Sequence, residues 1–173
     1  MAKPKFYLGN LKIFPFEFDL LYNPLGELIK LNFKLYLEPR ITLYAEKPFI
    51  KESLFLFLEK FKEYLEGKVA FLDLPHKLEK PPFSSNILLF LQNIPYGTTF
   101  TYKELAEKMG NKKAQRAIGQ VLAHNPLPLI YPCHRVVSKK NLGGFSQGQL
   151  LKWLLLYWEL NNPLTKKFFM SKF

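Results

Sequence analysis

Over the first 45 positions apolar residues gather in short runs, "FYLG", "LKIFPFEFDLLY", "GELIKLNFKLYL" and "RITLYA", and each reads as a β segment. Between the second and third runs "NPLG" is a turn signal, because proline presets φ and glycine accepts a positive one. These runs predict a small antiparallel sheet. In "KPFIKESLFLFLEKFKEYLEGK" the period lengthens. Leu54, Phe55, Phe57, Leu58, Phe61, Tyr64 and Leu65 line up around a polar face, and Gly67 followed by Lys68 ends an amphipathic helix. "VAFLDLPHKLEKPP" is an extended, proline-punctuated segment, and Pro81 and Pro82 divide the chain into residues 1–80 and 81–173.

The second half turns helical. "FSSNILLFLQNIP" predicts a helix capped by Ser84 or Ser85 and stopped by Pro95. "TYKELAEKMG" opens with a capping box, Thr101 and Glu104 satisfying each other's amides, and Gly110 suits its C-terminal end. Asn111 caps the next helix, "KKAQRAIGQVLAHN", and the pair has the outline of a helix-turn-helix. "KNLGGFSQGQ" is a loop whose three glycines let a backbone pass close to a ligand. "LLKWLLLYWEL" reads as a largely buried helix, and "NNPLTKKFFMSKF" as a basic tail whose aromatics pack back. The expected fold is α+β: a small sheet with a helix, then a mostly helical, winged-helix-like domain.

Charge sharpens this division. Residues 1–80 carry a net charge of +2 and residues 81–173 one of +9. Between Glu107 and Glu159 there is no carboxylate, while Lys108, Lys112, Lys113, Arg116, Arg135, Lys139, Lys140 and Lys152 all fall there. Such a segment suits a polyanion, through counterion release, or is simply a basic surface. No apolar run reaches the length of about 18 residues that a membrane helix needs, and the N-terminus lacks a secretory signal. A single cysteine implies a free thiol in a reducing cytoplasm.

Two features carry chemistry. In "KAQRAIGQVLA" Ala114, Ala117, Gly119 and Ala123 are small and Arg116 is the one long cation. That pattern fits close helix packing, or a helix entering a minor groove with a wedge. Cys133, in "LIYPCHRVV", is either a buried inert thiol or a nucleophile whose pKa His134, Arg135 or a helix N-terminus would lower. Glu159 is the one carboxylate after the cysteine that can orient His134, giving a Cys133, His134, Glu159 relay. Neighbouring side chains on an extended backbone point apart, so a water would bridge the first two. His76, His124 and His134 show no metal-ligand spacing.

Taken in order, "TYKELAEKMG", "KKAQRAIGQVLAHNPLPLIYPCHRVV", "LGGFSQG" and a closing helix with a glutamate resemble the O6-alkylguanine-DNA alkyltransferases, over about residues 83–160. The resemblance implies direct repair of duplex DNA: minor-groove binding, extrusion of the damaged guanine, and one irreversible transfer of its O6-alkyl group to Cys133. It makes His134 the base, acting through water, Glu159 its orienting partner, and Tyr102 the residue that turns the phosphate and protonates the leaving guanine. Arg116 becomes the finger that replaces the extruded base, with Thr101, Ala114, Gln115, Ala117 and Gly119 against the DNA. Asn125 holds the recognition helix in register with the active-site strand, and Val136, Phe145, Ser146 and Lys152 line or support the base pocket. No cofactor and no structural zinc are implied, since the cysteines that bind metal in many members are absent here. The partner is double-stranded DNA carrying O6-alkylguanine, met by a monomer, with cooperative loading left open. A relative that binds alkylated DNA without repairing it is the alternative, although such proteins lack the acceptor cysteine. Phe145 stands where tyrosine is usual and Gln147 where glycine is common, so Gln147 is expected to narrow the pocket against bulky adducts.

Overall fold

The computed structural model describes residues 6–13, 15–36 and 41–162. Four antiparallel strands come first: β1 (Tyr7–Ile13), β2 (Phe16–Tyr22), β3 (Leu28–Leu35) and β4 (Ile41–Ala45), in the order β3-β2-β1-β4. The apolar run read as one segment from Leu11 to Tyr22 is therefore folded back on itself, with Ile13 opposite Phe16. Pro15, which has no amide to give a ladder, stands at the reversal. The Asn23 to Gly26 turn is formed as the sequence indicates: Asn23 Oδ1 accepts from the amides of Leu25 and Glu27, and Gly26 has φ +79°.

Strict alternation along β2 sends Phe16, Phe18, Leu20 and Tyr22 to one face. Helix α1 (Pro48–Leu65) lays Ile50, Leu54, Phe57, Phe61 and Tyr64 on that face. The packing is aromatic, Phe18 meeting the rings of Phe61 and Phe57 edge-on at 4.7 and 4.9 Å between centroids. Gly67 takes φ +72° just past the helix and donates to the Tyr64 carbonyl at 2.9 Å, ending it as the sequence predicts.

The extended stretch after Gly67 bonds both to the sheet and to the segment before Cys133, which also meets the sheet directly. Leu72 donates to the Leu129 carbonyl at 3.0 Å, Leu28 to that of Pro75 at 2.9 Å, and Leu31 to that of Pro126 at 2.9 Å. Beyond it lie α2 (Pro82–Leu91), β5 (Phe100–Thr101), α3 (Tyr102–Lys108), α4 (Gln115–Ala123), a 3₁₀ turn over Cys133–Arg135, β6 (Val136–Val137) and α5 (Gln149–Asn161). β5 and β6 pair in parallel. The fold is α+β, with α3 and α4 as the paired helices.

Three local expectations change. Neither Ser84 nor Ser85 caps α2; Pro81 holds that position and Ser85 Oγ donates back to the Lys80 carbonyl at 3.0 Å. Asn111 does not start a helix, because its side chain closes a turn on the Lys113 amide and α4 begins four residues later, at Gln115. Helix α5 is buried on one side only: Leu151, Lys152, Leu155, Leu156 and Glu159 face inward, while Leu150, Trp153 and Tyr157 face out, the last two rings stacked at 5.1 Å. The expectation for the tail's aromatics concerns residues outside the described ones.

Gly9 is where sheet and helix come closest. A β-carbon there would sit 2.8 Å from Leu54 Cδ2 and 3.3 Å from Ile50 Cγ2. Gly9→Ala is expected to destabilise the protein by about 1–3 kcal/mol through overpacking, a fall in Tm of about 2–10 °C that a thermal melt will read.

Candidate active site

The polypeptide leaves α4 at Asn125, and that side chain organises the segment leading to Cys133. Its Oδ1 accepts from the Leu127 amide at 3.0 Å, while its Nδ2 donates to the Tyr131 carbonyl at 2.8 Å and to Cys133 Sγ at 3.1 Å. The segment from 126 to 132 is rich in proline and almost wholly buried, so few amides need partners and the cysteine is delivered at a fixed place. Cys133, His134 and Arg135 then form a 3₁₀ turn rather than the extended strand expected, and all three are buried.

The turn sends its three side chains in different directions. Cys133 lines a cavity of about 210 Å³ together with Tyr102, Gly119, Leu122, Ala123, Gly144, Phe145 and Ser146. His134 Nε2 meets Glu159 Oε1 at 2.7 Å, and its Nδ1 is buried with no hydrogen-bond partner among the described residues. Arg135 grips the same carboxylate through Nε and Nη2, at 2.9–3.2 Å, and donates to the carbonyls of Ile94 at 2.8 Å and of Ala70. Two further donors complete the carboxylate: the Tyr64 hydroxyl at 2.5 Å to Oε1 and the Gly97 amide at 3.0 Å to Oε2.

Burial and charge set the protonation states. Burial works against the charge of Glu159, but His134 and Arg135 outweigh it and hold the carboxyl well below the usual carboxylate range. Burial lowers the His134 pKa although Glu159 pulls it up, so the imidazole is neutral at rest. Burial also pushes the Cys133 thiol up to about 11, with the Asn125 hydrogen bond and the Lys152 charge pulling the other way. Of the two readings the sequence left open, a buried thiol and a thiol lowered by its neighbours, the resting state matches the first. Arg135 is spent on Glu159 and His134 is uncharged, so neither adjacent cation reaches the sulfur. Lys152 is fully buried, gives hydrogen bonds to the carbonyls of Val136 at 2.6 Å and Gly144 at 3.0 Å, and is brought down to about 8 by burial.

The remaining predicted residues fall around this centre. The capping box is formed, Thr101 Oγ1 accepting from Glu104 N at 3.1 Å and Glu104 Oε2 from Thr101 N at 2.6 Å, and it starts α3 with Tyr102 over the cavity. Gly119 faces Tyr102, and Gln115, Arg116 and Ala117 are exposed on α4. Ala114 does not join them: it precedes the helix and is buried in the core. Lys112, Lys113, Lys139 and Lys140 stand exposed, whereas Arg135 and Lys152 turn inward.

Gln147 does not narrow the cavity. Its Oε1 accepts from the Phe33 amide on β3 at 3.0 Å, which points it out of the pocket, and the Phe145 ring beside it rests edge-on against Phe33 and His134. Tyr64, Arg135 and Gly97 were missed as members of the site. The sequence signal for Arg135 is its place in "PCHRV"; Tyr64 and Gly97 lie 95 and 62 residues from Glu159, with no local signal pointing to it.

The chain is similar to known proteins. Residues 82–161 match the family model described as the DNA binding domain of 6-O-methylguanine DNA methyltransferase. A methylated-DNA–protein-cysteine methyltransferase of Methanocaldococcus jannaschii is 36% identical over 133 residues, 77% of this chain and 78% of that protein. The protein of that name from Saccharolobus solfataricus is 40% identical over 100 residues, 58% of this chain and 65% of its own. Among solved structures, Mycobacterium tuberculosis OGT in complex with DNA superposes with a TM-score of 0.71 at 26% identity, covering 89% of this chain and 93% of that one. The likeness to the Methanocaldococcus relative reaches well into the sheet-bearing half, beyond the segment that the family model matches. The chain belongs to the methylated-DNA–protein-cysteine methyltransferase family.

Proposed function

We propose that the protein repairs alkylated duplex DNA by moving the alkyl group of O6-alkylguanine irreversibly onto Cys133, with residues 81–173 carrying the chemistry and residues 1–80 supporting them. The observation that carries this reading is the placement of the thiol: Cys133 lines a small cavity, and the next residue is a buried imidazole bonded to a buried carboxylate. Solvent-exposed Arg116, beside Ala117 on α4, is the side chain that enters the stack when the base leaves it. The exposed lysines at 112, 113, 139 and 140 neutralise phosphates.

The high pKa of the thiol means that it rests protonated, inert until a base acts on it. His134 Nδ1 is the acceptor for that proton, through one water, because Nε2 is committed to Glu159. As the proton arrives, the Glu159 charge stabilises the imidazolium, in the way a triad carboxylate does. The thiolate then attacks the alkyl carbon in line; the S–C bond forms, the C–O6 bond breaks, and its electron pair stays on guanine. The Tyr102 hydroxyl, at the cavity wall, supplies the proton that the departing base takes up. Asn125 and Lys152 stabilise the sulfur's negative charge in the interval. The product is a thioether, which has no route back to thiol, so each molecule acts once.

Incubation with a duplex containing one O6-methylguanine is expected to raise the intact-protein mass by one methylene, one to one, and Cys133→Ala is expected to show no gain. A lesion that is bound while the mass stays constant would mark the protein as a non-catalytic binder; removal of many lesions per molecule would rule out self-alkylation. Arg116→Ala is expected to slow transfer from duplex by about a hundredfold, matching a flipping cost of about 3 kcal/mol. The same variant should lose far less on a single strand, where no partner base has to be replaced. Equal losses on both substrates would remove Arg116 from the finger role.

A further inference from the structure

Helix α1 ends against α5 in a way that packing alone does not require. The Leu65 carbonyl at its last turn accepts from Trp158 Nε1 at 2.8 Å and from Asn162 Nδ2 at 2.9 Å, residues that flank Glu159 along α5. Gly67 keeps this junction tight, because a β-carbon there would come within 3.1 Å of the Asn162 side chain. The effect is to hold Tyr64, one residue earlier on α1, over the Glu159 carboxylate. Its hydroxyl lies 2.5 Å from Oε1, which is the oxygen that also receives His134, and 3.4 Å from His134 Nε2. Tyr64 is 1% exposed and Glu159 and His134 are fully buried, so water does not compete for these bonds.

We propose that Tyr64 is a positioning residue for the alkyl transfer: from the sheet-bearing half it fixes the carboxylate behind His134 and takes up part of its charge. The inference rests on the function proposed above and extends the relay to a member outside the DNA-binding half. The distances decide the direction of its influence. A hydroxyl has one proton, and the 2.5 Å contact assigns it to Glu159; toward His134 the hydroxyl offers only lone pairs, at a distance where a hydrogen bond is weak. Its main effect is therefore to share the negative charge that would otherwise hold the imidazolium. Removing it leaves Glu159 more strongly attractive and raises the proton affinity of His134. The base would then be neutral, and able to accept the thiol proton, only at higher pH. The other charged or titratable groups at this centre are Tyr96 from the loop after α2, Cys133 and Arg135 on the 3₁₀ turn, and Lys152 on α5. Of these, Tyr96 and Arg135 interact with Tyr64 directly, and Tyr64→Phe keeps the ring that meets Tyr96.

Single-turnover transfer from an O6-methylguanine duplex, followed across pH, tests the assignment in Tyr64→Phe. The expected result is a rate about tenfold lower at neutral pH, the size typical when a group orienting a histidine is lost. The acid limb of the profile should move up by about half to one pH unit, the equivalent of one hydrogen bond. A uniform loss with an unmoved limb would assign Tyr64 to packing alone and overturn the proposal. Should Tyr64→Phe melt too low to assay, a ring-fluorinated tyrosine at the same site keeps the ring and strengthens the donor. It must then move the limb to lower pH, and an unmoved limb again overturns the role. If the wild-type protein transfers no methyl group, the function proposed above fails instead, and the two failures are told apart in the first assay.

Discussion

A single ionised carboxylate, taken entirely out of water, governs how this molecule is put together. Glu159 stays charged in the interior only because donors from three parts of the chain converge on it: α1 through Tyr64, the loop after α2 through Gly97, and the 3₁₀ turn through His134 and Arg135, all meeting a fourth element, α5. A buried charge short of any of these partners would be heavily destabilising. The requirement to satisfy it therefore works as a constraint on assembly, because none of the four elements can move away without exposing the others to an unpaired ion. Arg135 extends the constraint, reaching past Glu159 to the carbonyls of Ile94, in the loop after α2, and Ala70, in the stretch after α1.

This explains why the reactive group can be so quiet. A thiol kept as thiolate is open to oxidation and to metals, and a protein that reacts once gains nothing from being spent on the wrong partner. Burial holds Cys133 protonated, while the means of activating it lies one residue away, neutral and already oriented by Glu159. The sulfur's direct contact is with Asn125, whose other bonds define the turn out of α4, so the course of the chain after that helix and the position of the sulfur share one side chain.

Much of this was legible in the sequence wherever the physics is local. The capping box of α3 follows from four residues, the Asn23 turn from its proline and glycine, and the inward face of α1 from its period; all three are present, except that Phe55, counted with that face, points to solvent. The relay was legible because cysteine and histidine are adjacent and one carboxylate follows them. What the sequence withheld depends on burial and on distant contacts. Tyr64 counted only as one apolar position in a helical stripe, since nothing near it reveals a carboxylate 95 residues away. Burial raises the thiol's pKa, and the cations beside it in sequence do not offset this because they point elsewhere in space. Gln147 was expected in the pocket, but the unpaired amide of a sheet-edge strand drew it outward.

Both of the chain's tryptophans are on α5, and each adjoins a residue of the buried centre: Trp153 follows Lys152, and Trp158 precedes Glu159. Trp153 is half exposed and stacked on Tyr157, while Trp158 is partly covered and bonded to the end of α1. The protein's intrinsic fluorescence is thus an optical gauge of this one helix, with one emitter reading its outer surface and the other its seam with the sheet-bearing half.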